Sequence, residues 1–304
     1  MKKKILSWYE ILKETSLSFI DNKGPKYSAA LAYYTIFSLA PMLIIIIWIG
    51  SRILGEAAME GKIYGEIKAF IGTSAALQIQ EMIRNVTIYE DDTLATTIGF
   101  ITLFIGATIV FTDIQDTLNT IWGIKAKPKR GLLKLLINRL LSFSMVIGIG
   151  FLMLVSLGIN AFLSIFNDFI QEYISEIYFP LFQIVNFLIT FLIITLLLIF
   201  IFKFLPDAKI KWKDVTAGAF ATALLFMVGK FGISLYLSYS DIGSAYGAAG
   251  SLILVLAWVY YSSIILFFGA VFTQVYAKHY GTKIIPREYA VLVEKIEIEK
   301  ENGF

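Results

Sequence analysis

Six long stretches of the sequence carry no charged side chain, apart from a single lysine in the fifth. They are Tyr27 to Ser51, Thr93 to Thr112, Leu140 to Asn167, Ile177 to Phe202, Val215 to Ser240 and Ile242 to Ala277. Each has at least 20 residues, the length that an α-helix needs to cross about 30 Å of hydrocarbon. The runs lack the two-residue alternation of a barrel strand, and a helix satisfies its own backbone hydrogen bonds. The pattern predicts an all-α membrane protein with six transmembrane helices, at residues 27–51, 93–112, 140–167, 177–202, 215–240 and 247–277.

Lysine and arginine are concentrated on alternate connections between these runs. Six precede the first run, six lie between the second and third, four lie between the fourth and fifth, and five follow the sixth, whereas four fall on the opposite side. Because short loops rich in Lys and Arg stay in the cytoplasm, we predict an inner (cytoplasmic) membrane protein with both termini cytoplasmic. The basic cytoplasmic side suits membrane lipids with anionic headgroups, and it gives no reason to expect a nucleic-acid partner.

The composition predicts one membrane domain. The chain is 58% hydrophobic and 16% charged, so little polar surface is left for a second, soluble domain. We therefore predict a cytoplasmic amphipathic segment at residues 1–26, the six-helix domain at 27–277 and a charged cytoplasmic tail at 278–304, which we expect to be solvated and frayed.

Two segments outside the runs have the spacing of amphipathic helices. Near the N-terminus, apolar positions recur every three or four residues at Ile5, Trp8, Leu12, Thr15 and Phe19. This stripe predicts a helix that lies in the lipid headgroup region. The first outer loop, residues 52–92, has similar spacing and predicts two short amphipathic helices. These helices either cap an outward-facing opening or pack at the membrane interface.

The sequence predicts no catalytic, cofactor-binding or metal-binding site. Zinc and two-metal sites need several converging ligands, and the chain has one histidine, His279, and no cysteine. We interpret His279 as an interfacial side chain. Asp113, Asp116 and Asn119 recur every three residues and therefore share a helix face at the cytoplasmic end of the second span. They either end the helix and pair with nearby Lys or Arg, or form a cytoplasmic gate or cation site.

Polar residues within the spans are candidates for contact with a substrate, because a charge at the bilayer centre costs about 2.5–3.5 kcal/mol on insertion scales. Lys230 either snorkels or pairs structurally, or it faces a substrate. Pro41 removes a backbone donor and either kinks the first span or opens it. The substrate-facing candidates are Lys230, Tyr33, Tyr34, Ser38, Pro41, Tyr246, Tyr260 and Tyr261. Glycines at positions 218, 229 and 232 are expected to allow close packing of helices.

Several stretches resemble a known family. They are Ala29–Pro41 (AALAYYTIFSLAP), Phe204–Trp212 (FLPDAKIKW), Tyr246–Gly269 (YGAAGSLILVLAWVYYSSIILFFG), the residues from Leu118 to Trp122, and Asn138-Arg139. Together they are similar to the signature stretches of the YihY/BrkB family of integral inner-membrane proteins, over almost the whole chain. The resemblance implies a six-helix fold with both termini inside and a transport role for lipids or other amphipathic solutes. Members have also carried the label ribonuclease BN. The resemblance supplies no catalytic or substrate-binding residues.

Three functions from different classes are compared on this basis. The first is a translocator or permease for a lipid-like or other amphipathic solute, which is not driven by ATP hydrolysis in this chain because no Walker-type phosphate loop is present. The second is a membrane scaffold or envelope-assembly partner that transports nothing. The third is a ribonuclease, which would need metal ligands or an acid–base pair exposed to the cytosol. We predict that the protein is not an enzyme, and the sequence predicts no oligomeric state.

Overall fold

A computed structural model describes residues 2–38, 93–127, 179–239, 250–280 and 283–293. The helices in these residues are α1 (Lys2–Asp21), α2 (24–38), α3 (Thr93–Ile121), α4 (Phe179–Phe204), α5 (Trp212–Tyr239) and α6 (Gly250–His279). The strands are β1 (Ile124–Ala126), β2 (Ala208–Lys209), β3 (Ile285–Pro286) and β4 (Ala290–Leu292). The prediction of a mostly helical chain is confirmed.

Two of these helices contain segments that are long and apolar enough to cross a membrane. They are Phe187–Phe204 in α4 and Val255–His279 in α6. The six-span count and the orientation of the termini stay predictions. The third predicted span and the helices of the first outer loop lie outside the described residues.

Helices α4 and α5 each expose a row of large apolar side chains at four-residue spacing. The rows are Leu188, Leu192 and Leu196 on α4, and Phe220, Leu224 and Val228 on α5. Four-residue spacing keeps such side chains on one face of a helix. Exposed apolar rows of this length are unfavourable in water, so these faces suit a hydrocarbon environment.

Helices α5 and α6 pack through two reciprocal contacts between a glycine and a threonine. A Cβ added at Gly218 would lie 1.9 Å from Thr273 Oγ1, and one added at Gly269 would lie 1.9 Å from Thr222 Oγ1. Thr222 donates a hydrogen bond to Gly218 O at 2.6 Å, and Thr273 donates one to Gly269 O at 2.7 Å. From Gly218 to Thr222 along α5, the partner on α6 changes from Thr273 back to Gly269. The two helices are therefore antiparallel. Glycine is required at both positions because only a hydrogen fits between its backbone and the facing threonine side chain.

Four short strands pair the C-terminal tail with the connection after α3 and with the connection between α4 and α5. Strand β1, after α3, pairs antiparallel with β4 near the C-terminus, and β2, between α4 and α5, pairs antiparallel with β3. Trp122, just before β1, donates an indole hydrogen bond to Ala270 O on α6 at 3.0 Å. The tail is therefore structured at residues 285–292, because its backbone groups complete the two ladders. The alternating charges at residues 294–301, from which a solvated, frayed end was expected, lie outside the described residues.

Helix α1 packs against the end of α6. Trp8 stacks on Phe272 with ring centroids 6.4 Å apart, and Phe19 meets Phe268 edge-on at 5.7 Å. Thr15 is fully buried on the same face. The stripe is therefore divided: Thr15 and Phe19 face α6, whereas Trp8 and Leu12 are about half exposed, and its position in the headgroup region stays a prediction. Helix α6 packs against α5, α1 and α3. We refer to α1 and β1–β4 as the cap.

A tight turn separates α1 from α2. Lys23 has a left-handed backbone with φ of 57°, which ends α1 as the residue after a helix C-terminus commonly does. Gly24 follows, and a Cβ there would lie 2.1 Å from the Phe19 ring. The ring therefore covers the backbone at the point where the chain turns from the cap into α2.

Candidate functional site: a polar cluster at the end of α3

A buried carboxylate lies where α3 meets the connection between α4 and α5. Asp207 is 3% exposed, and its oxygens accept hydrogen bonds from Gln115 Nε2 at 3.3 Å and from Asn119 Nδ2 at 3.1 Å. In return, the Asp207 backbone amide donates to Asn119 Oδ1 at 2.9 Å. The four-residue spacing of Gln115 and Asn119 places both amides on one face of α3. The exchange fixes the end of α3 to the connection and satisfies a carboxylate that burial alone would disfavour.

The C-terminal tail closes this cluster from the cap side. The Arg287 amide donates to Asp207 O at 2.9 Å, and its guanidinium donates to Phe204 O at 3.2 Å and to the Tyr289 hydroxyl at 3.4 Å. Burial raises the pKa of Tyr289, and the nearby Asp207 carboxylate raises it further, partly opposed by Arg287. The tail thus supplies a cation and a phenol beside the Asp207 carboxylate.

Two further carboxylates, Asp113 and Asp116, lie on α3 between this cluster and the apolar part of the helix. Asp113 Oδ2 is buried and accepts no hydrogen bond within the described part of the chain. Desolvation, with the Asp116 charge as a second cause, raises the pKa of Asp113 to about 6. Partial desolvation and the Asp207 charge raise the pKa of Asp116. Partial burial and neighbouring acids disfavour the ionised form of a carboxyl group. Asp113 is therefore expected to titrate near pH 6.

The three predicted gate residues therefore have different surroundings. Asn119 is buried and holds Asp207, whereas Asp116 is exposed on the helix surface. The structure brings Asn119 together with Asp207, which lies 88 residues away in the chain, and leaves Asp113 with a buried oxygen that has no donor among the described residues. A role for Asp113 and Asp116 as a gate stays a prediction.

The predicted substrate-facing residues are dispersed over the described helices. Tyr33 is exposed on α2 and contacts Tyr34 and Phe37, with centroids 5.9 Å and 4.8 Å away. Ser38 is buried and donates a hydrogen bond to Tyr34 O at 3.0 Å. A Cβ added at Gly106 on α3 would lie 2.7 Å from Ser38 Oγ, so Ser38 packs between α2 and α3.

Of the remaining candidates, Tyr261 packs on α5 and Tyr260 is half-buried. A Cβ added at Gly229 would lie 1.1 Å from the Tyr261 hydroxyl, which continues the glycine seam between α5 and α6. Tyr261 therefore contacts α5, and its substrate-facing role stays a prediction. The backbone of Lys230 belongs to α5, but its side chain lies outside the described residues, as do Pro41 and Tyr246.

His279 and Lys278 at the end of α6 both bind Glu14 of α1. Lys278 Nζ lies 3.1 Å from Glu14 Oε1, and His279 Nε2 lies 2.8 Å from Glu14 Oε2. Although desolvation opposes the change, the hydrogen bonds from Lys278 and His279 hold the pKa of Glu14 below its ordinary value. These contacts help to fix α1 to α6. In the described part of the chain, no group of three His, Asp or Glu side chains is arranged to hold a metal ion.

Sequence reasoning missed Asp207, Gln115, Arg287 and Tyr289 as members of the site. A signal was present, because Asp207 follows Pro206 in a short connection between two apolar runs, and an acid there is one of the few polar groups near the spans. Its partners could not be identified from spacing, since they come from α3 and from the C-terminal tail.

Comparison with known proteins gives a consistent result. The sequence profile of the family described as virulence factor BrkB matches residues 15–289. The chain is 25% identical over 285 residues to the UPF0761 membrane protein of Psychrobacter sp., covering 92% of this chain and 51% of that protein. It is 27% identical over 259 residues to the UPF0761 membrane protein of Haemophilus influenzae, covering 83% and 89% of the two chains. For the UPF0761 membrane protein of Stenotrophomonas maltophilia the identity is 26% over 258 residues, covering 83% and 57%.

The chain thus spans about half the length of the Psychrobacter protein and most of the Haemophilus protein. No solved structure matches the chain. The names of these relatives denote membrane proteins and mention no catalytic activity. Together with the apolar segments of α4 and α6, the family match identifies the chain as a membrane protein that belongs to the BrkB virulence factor family.

Proposed function

We propose that the chain crosses the inner membrane six times, with both termini and the cap in the cytoplasm. An even number of spans returns the C-terminus to the side of the N-terminus. The pairing of β1 with β4 and of β2 with β3, and the docking of α1 on α6, support this arrangement. They bring the N-terminal segment, two connections and the tail to one side, and these are the four segments in which Lys and Arg are concentrated.

Within this topology, the protein acts as a translocator for a lipid-like or other amphipathic solute. The observation that carries the proposal is Asp113, whose buried Oδ2 accepts no hydrogen bond among the described residues. A helix end with only a structural role would pair this carboxylate with one of the many basic residues of the cap. An acid whose buried oxygen has no donor among the described residues, at the end of a span, instead suits a proton- or cation-dependent gate, since intramembrane and membrane-edge ionisable groups commonly lie on solute pathways.

The gate follows from the two states of the Asp113 carboxyl. When it is protonated, the buried Oδ2 carries no charge in the packed arrangement at the end of α3. When it is ionised, the buried oxygen loses hydration without gaining a donor, which favours an arrangement that admits water or a cation. Gln115, Asn119 and Asp207 hold the neighbouring turn in place, so the change is confined to the side of α3 that bears Asp113.

The test is translocation in vesicles that contain the purified protein. Wild type is expected to accelerate the movement of a headgroup-labelled phospholipid between leaflets, with a rate that changes between about pH 5 and 7 because the pKa of Asp113 is about 6. Asp113→Asn should remove this pH dependence. Asp21→Asn, which alters an exposed acid of α1, is the matched control and should keep it.

The same experiment separates the scaffold from the translocator. Wild-type vesicles in which the lipid moves no faster than in protein-free vesicles would contradict the translocator and favour a scaffold, for which the structured cap offers a platform. A pH dependence retained in Asp113→Asn would remove this residue from the gate.

A further inference from the structure

Helix α1 has a second apolar face that points away from α6. Ile11, Thr15 and Phe19 are buried against α6, whereas Tyr9 and Ile20 are each 66% exposed. At about 100° per residue, six of the exposed residues fall on one continuous arc of about 140°, and exposed Trp8, Glu10 and Asp21 lie outside it. This arc, called here the outer face of α1, consists of Tyr9, Leu12, Lys13, Ser16, Leu17 and Ile20.

The charges of α1 are divided between its faces. Lys13 lies on the outer face, and Lys23 and Lys26 are exposed in the turn and at the start of α2. The three acids of α1, Glu10, Glu14 and Asp21, lie together beyond the edge of the outer face at Leu17. Glu14 is bound to Lys278 and His279 on α6. The outer face itself therefore carries one lysine and no acid, and one of the three neighbouring acids is paired with α6.

The position of α1 in the chain limits what covers this face. Only the turn at residues 22–23 separates α1 from α2, which begins the first proposed span. A helix tethered so closely to a span lies at the height of the lipid headgroups. An amphipathic helix there inserts its apolar side chains at the boundary of the acyl chains, while lysines remain near the lipid phosphates.

We propose that the outer face of α1 docks on the cytoplasmic leaflet and selects anionic lipids. The helix is thus clamped between α6 on one side and the bilayer on the other, and it holds the cap against the membrane. The inference rests on the proposed topology. The docking residues are Tyr9, Leu12, Leu17 and Ile20, of which only Leu12 belongs to the stripe that the sequence pattern assigned to lipid.

The absence of cysteine from the chain allows a direct test with single labels. Tyr9→Cys and Ile20→Cys place an environment-sensitive fluorophore on the outer face, and Glu10→Cys is the matched control on its acidic side. Tyr33→Cys, at an exposed position of α2, reports on the first span. The full chain is reconstituted into phosphatidylcholine vesicles with or without phosphatidylglycerol, and quenching by lipids with brominated acyl chains is measured.

We expect quenching at positions 9 and 20 to approach that at 33 in anionic vesicles and to fall when phosphatidylglycerol is omitted, while position 10 stays unquenched. Lys13→Gln should lower the ratio of docked to undocked α1 about fivefold in anionic vesicles and leave it unchanged in neutral ones, as expected for one lysine near an anionic surface.

Three results would overturn the inference. Labels at 9 and 20 that behave like position 10, while 33 is quenched, would show that α1 is not docked, and the topology would stand. Quenching that is independent of phosphatidylglycerol would refute the selection of anionic lipids. If the signal at positions 9 and 20 depends on the protein density in the vesicles, and Ile20→Cys chains form disulfide cross-links with each other, a second copy covers the face. An unquenched label at 33 would instead contradict the proposed first span.

Discussion

The seam between α5 and α6 allows a quantitative prediction for Gly269→Ala. The added Cβ would lie 1.9, 2.5 and 2.7 Å from three atoms of Thr222, all closer than real Cβ contacts. Thr222 is 1% exposed and donates its hydroxyl to Gly218 O, so it has no room to rotate away. Overpacking of this kind costs about 1–3 kcal/mol, and three contacts favour the upper end. Since alanine gains up to about 1 kcal/mol of helix propensity over glycine, we expect a net loss of about 2 kcal/mol.

The assay is unfolding of the purified protein in mixed micelles with increasing SDS, followed by circular dichroism. Gly232→Ala is the matched control, because a Cβ at Gly232 meets nothing within 4 Å, and it should be neutral or stabilising. Adding Thr222→Gly to Gly269→Ala should recover stability relative to the sum of the single changes, with a coupling of about 2 kcal/mol. The reasoning is refuted if Gly269→Ala unfolds at the same SDS fraction as Gly232→Ala.

Three other substitutions test the site. Asp207→Ala leaves the buried Asn119 amide without its acceptor and should cost about 1–3 kcal/mol in the same unfolding assay, whereas Asp21→Ala at an exposed position should have little effect; equal losses would contradict the role of the cluster. Because the pKa of Asp113 rises from 3.8 to about 6 on folding, its ionisation disfavours the folded state, so stability should fall as pH rises through this range and stay low above it. Asp113→Asn should therefore stabilise the protein above pH 6 and make no difference below pH 4; a difference only in acid would reverse the sign of the argument. Lys230→Met should insert and fold as well as wild type while translocation is lost, since a cation facing an anionic solute would be missing; wild-type rates at equal incorporation would favour snorkelling.

Much of the helical architecture could be predicted from the sequence, because long apolar runs have few alternatives in a membrane. The bounds of α4, α5 and α6 lie close to the uncharged runs. Local spacing also predicted that Asn119 shares a face with the acids of α3. Local spacing could not predict that Asn119 binds Asp207, because the two residues are 88 positions apart. Their contact depends on how α3 packs beside the connection between α4 and α5.

The cap was the part that sequence periodicity described least well. The stripe on α1 was visible, but periodicity does not distinguish a face that packs on another helix from one that faces lipid, and Phe19 packs on Phe268. The tail was expected to be solvated because of alternating charges at residues 294–301, which lie outside the described residues. Residues such as Arg287 and Tyr289 are nonetheless ordered by backbone pairing and by the buried carboxylate of Asp207, which composition does not reveal.

The orientation of the cap is the claim on which the proposed function depends, and labelling of single cysteines in intact cells tests it most directly. Lys127 is exposed in the cap directly after β1, and Ser74 belongs to the predicted first outer loop. With a membrane-impermeant thiol reagent outside the cells, Ser74→Cys should react and Lys127→Cys should not, and Lys127→Cys should react once the membrane is permeabilised. Labelling of Lys127→Cys in intact cells, with Ser74→Cys protected, would contradict a cytoplasmic cap.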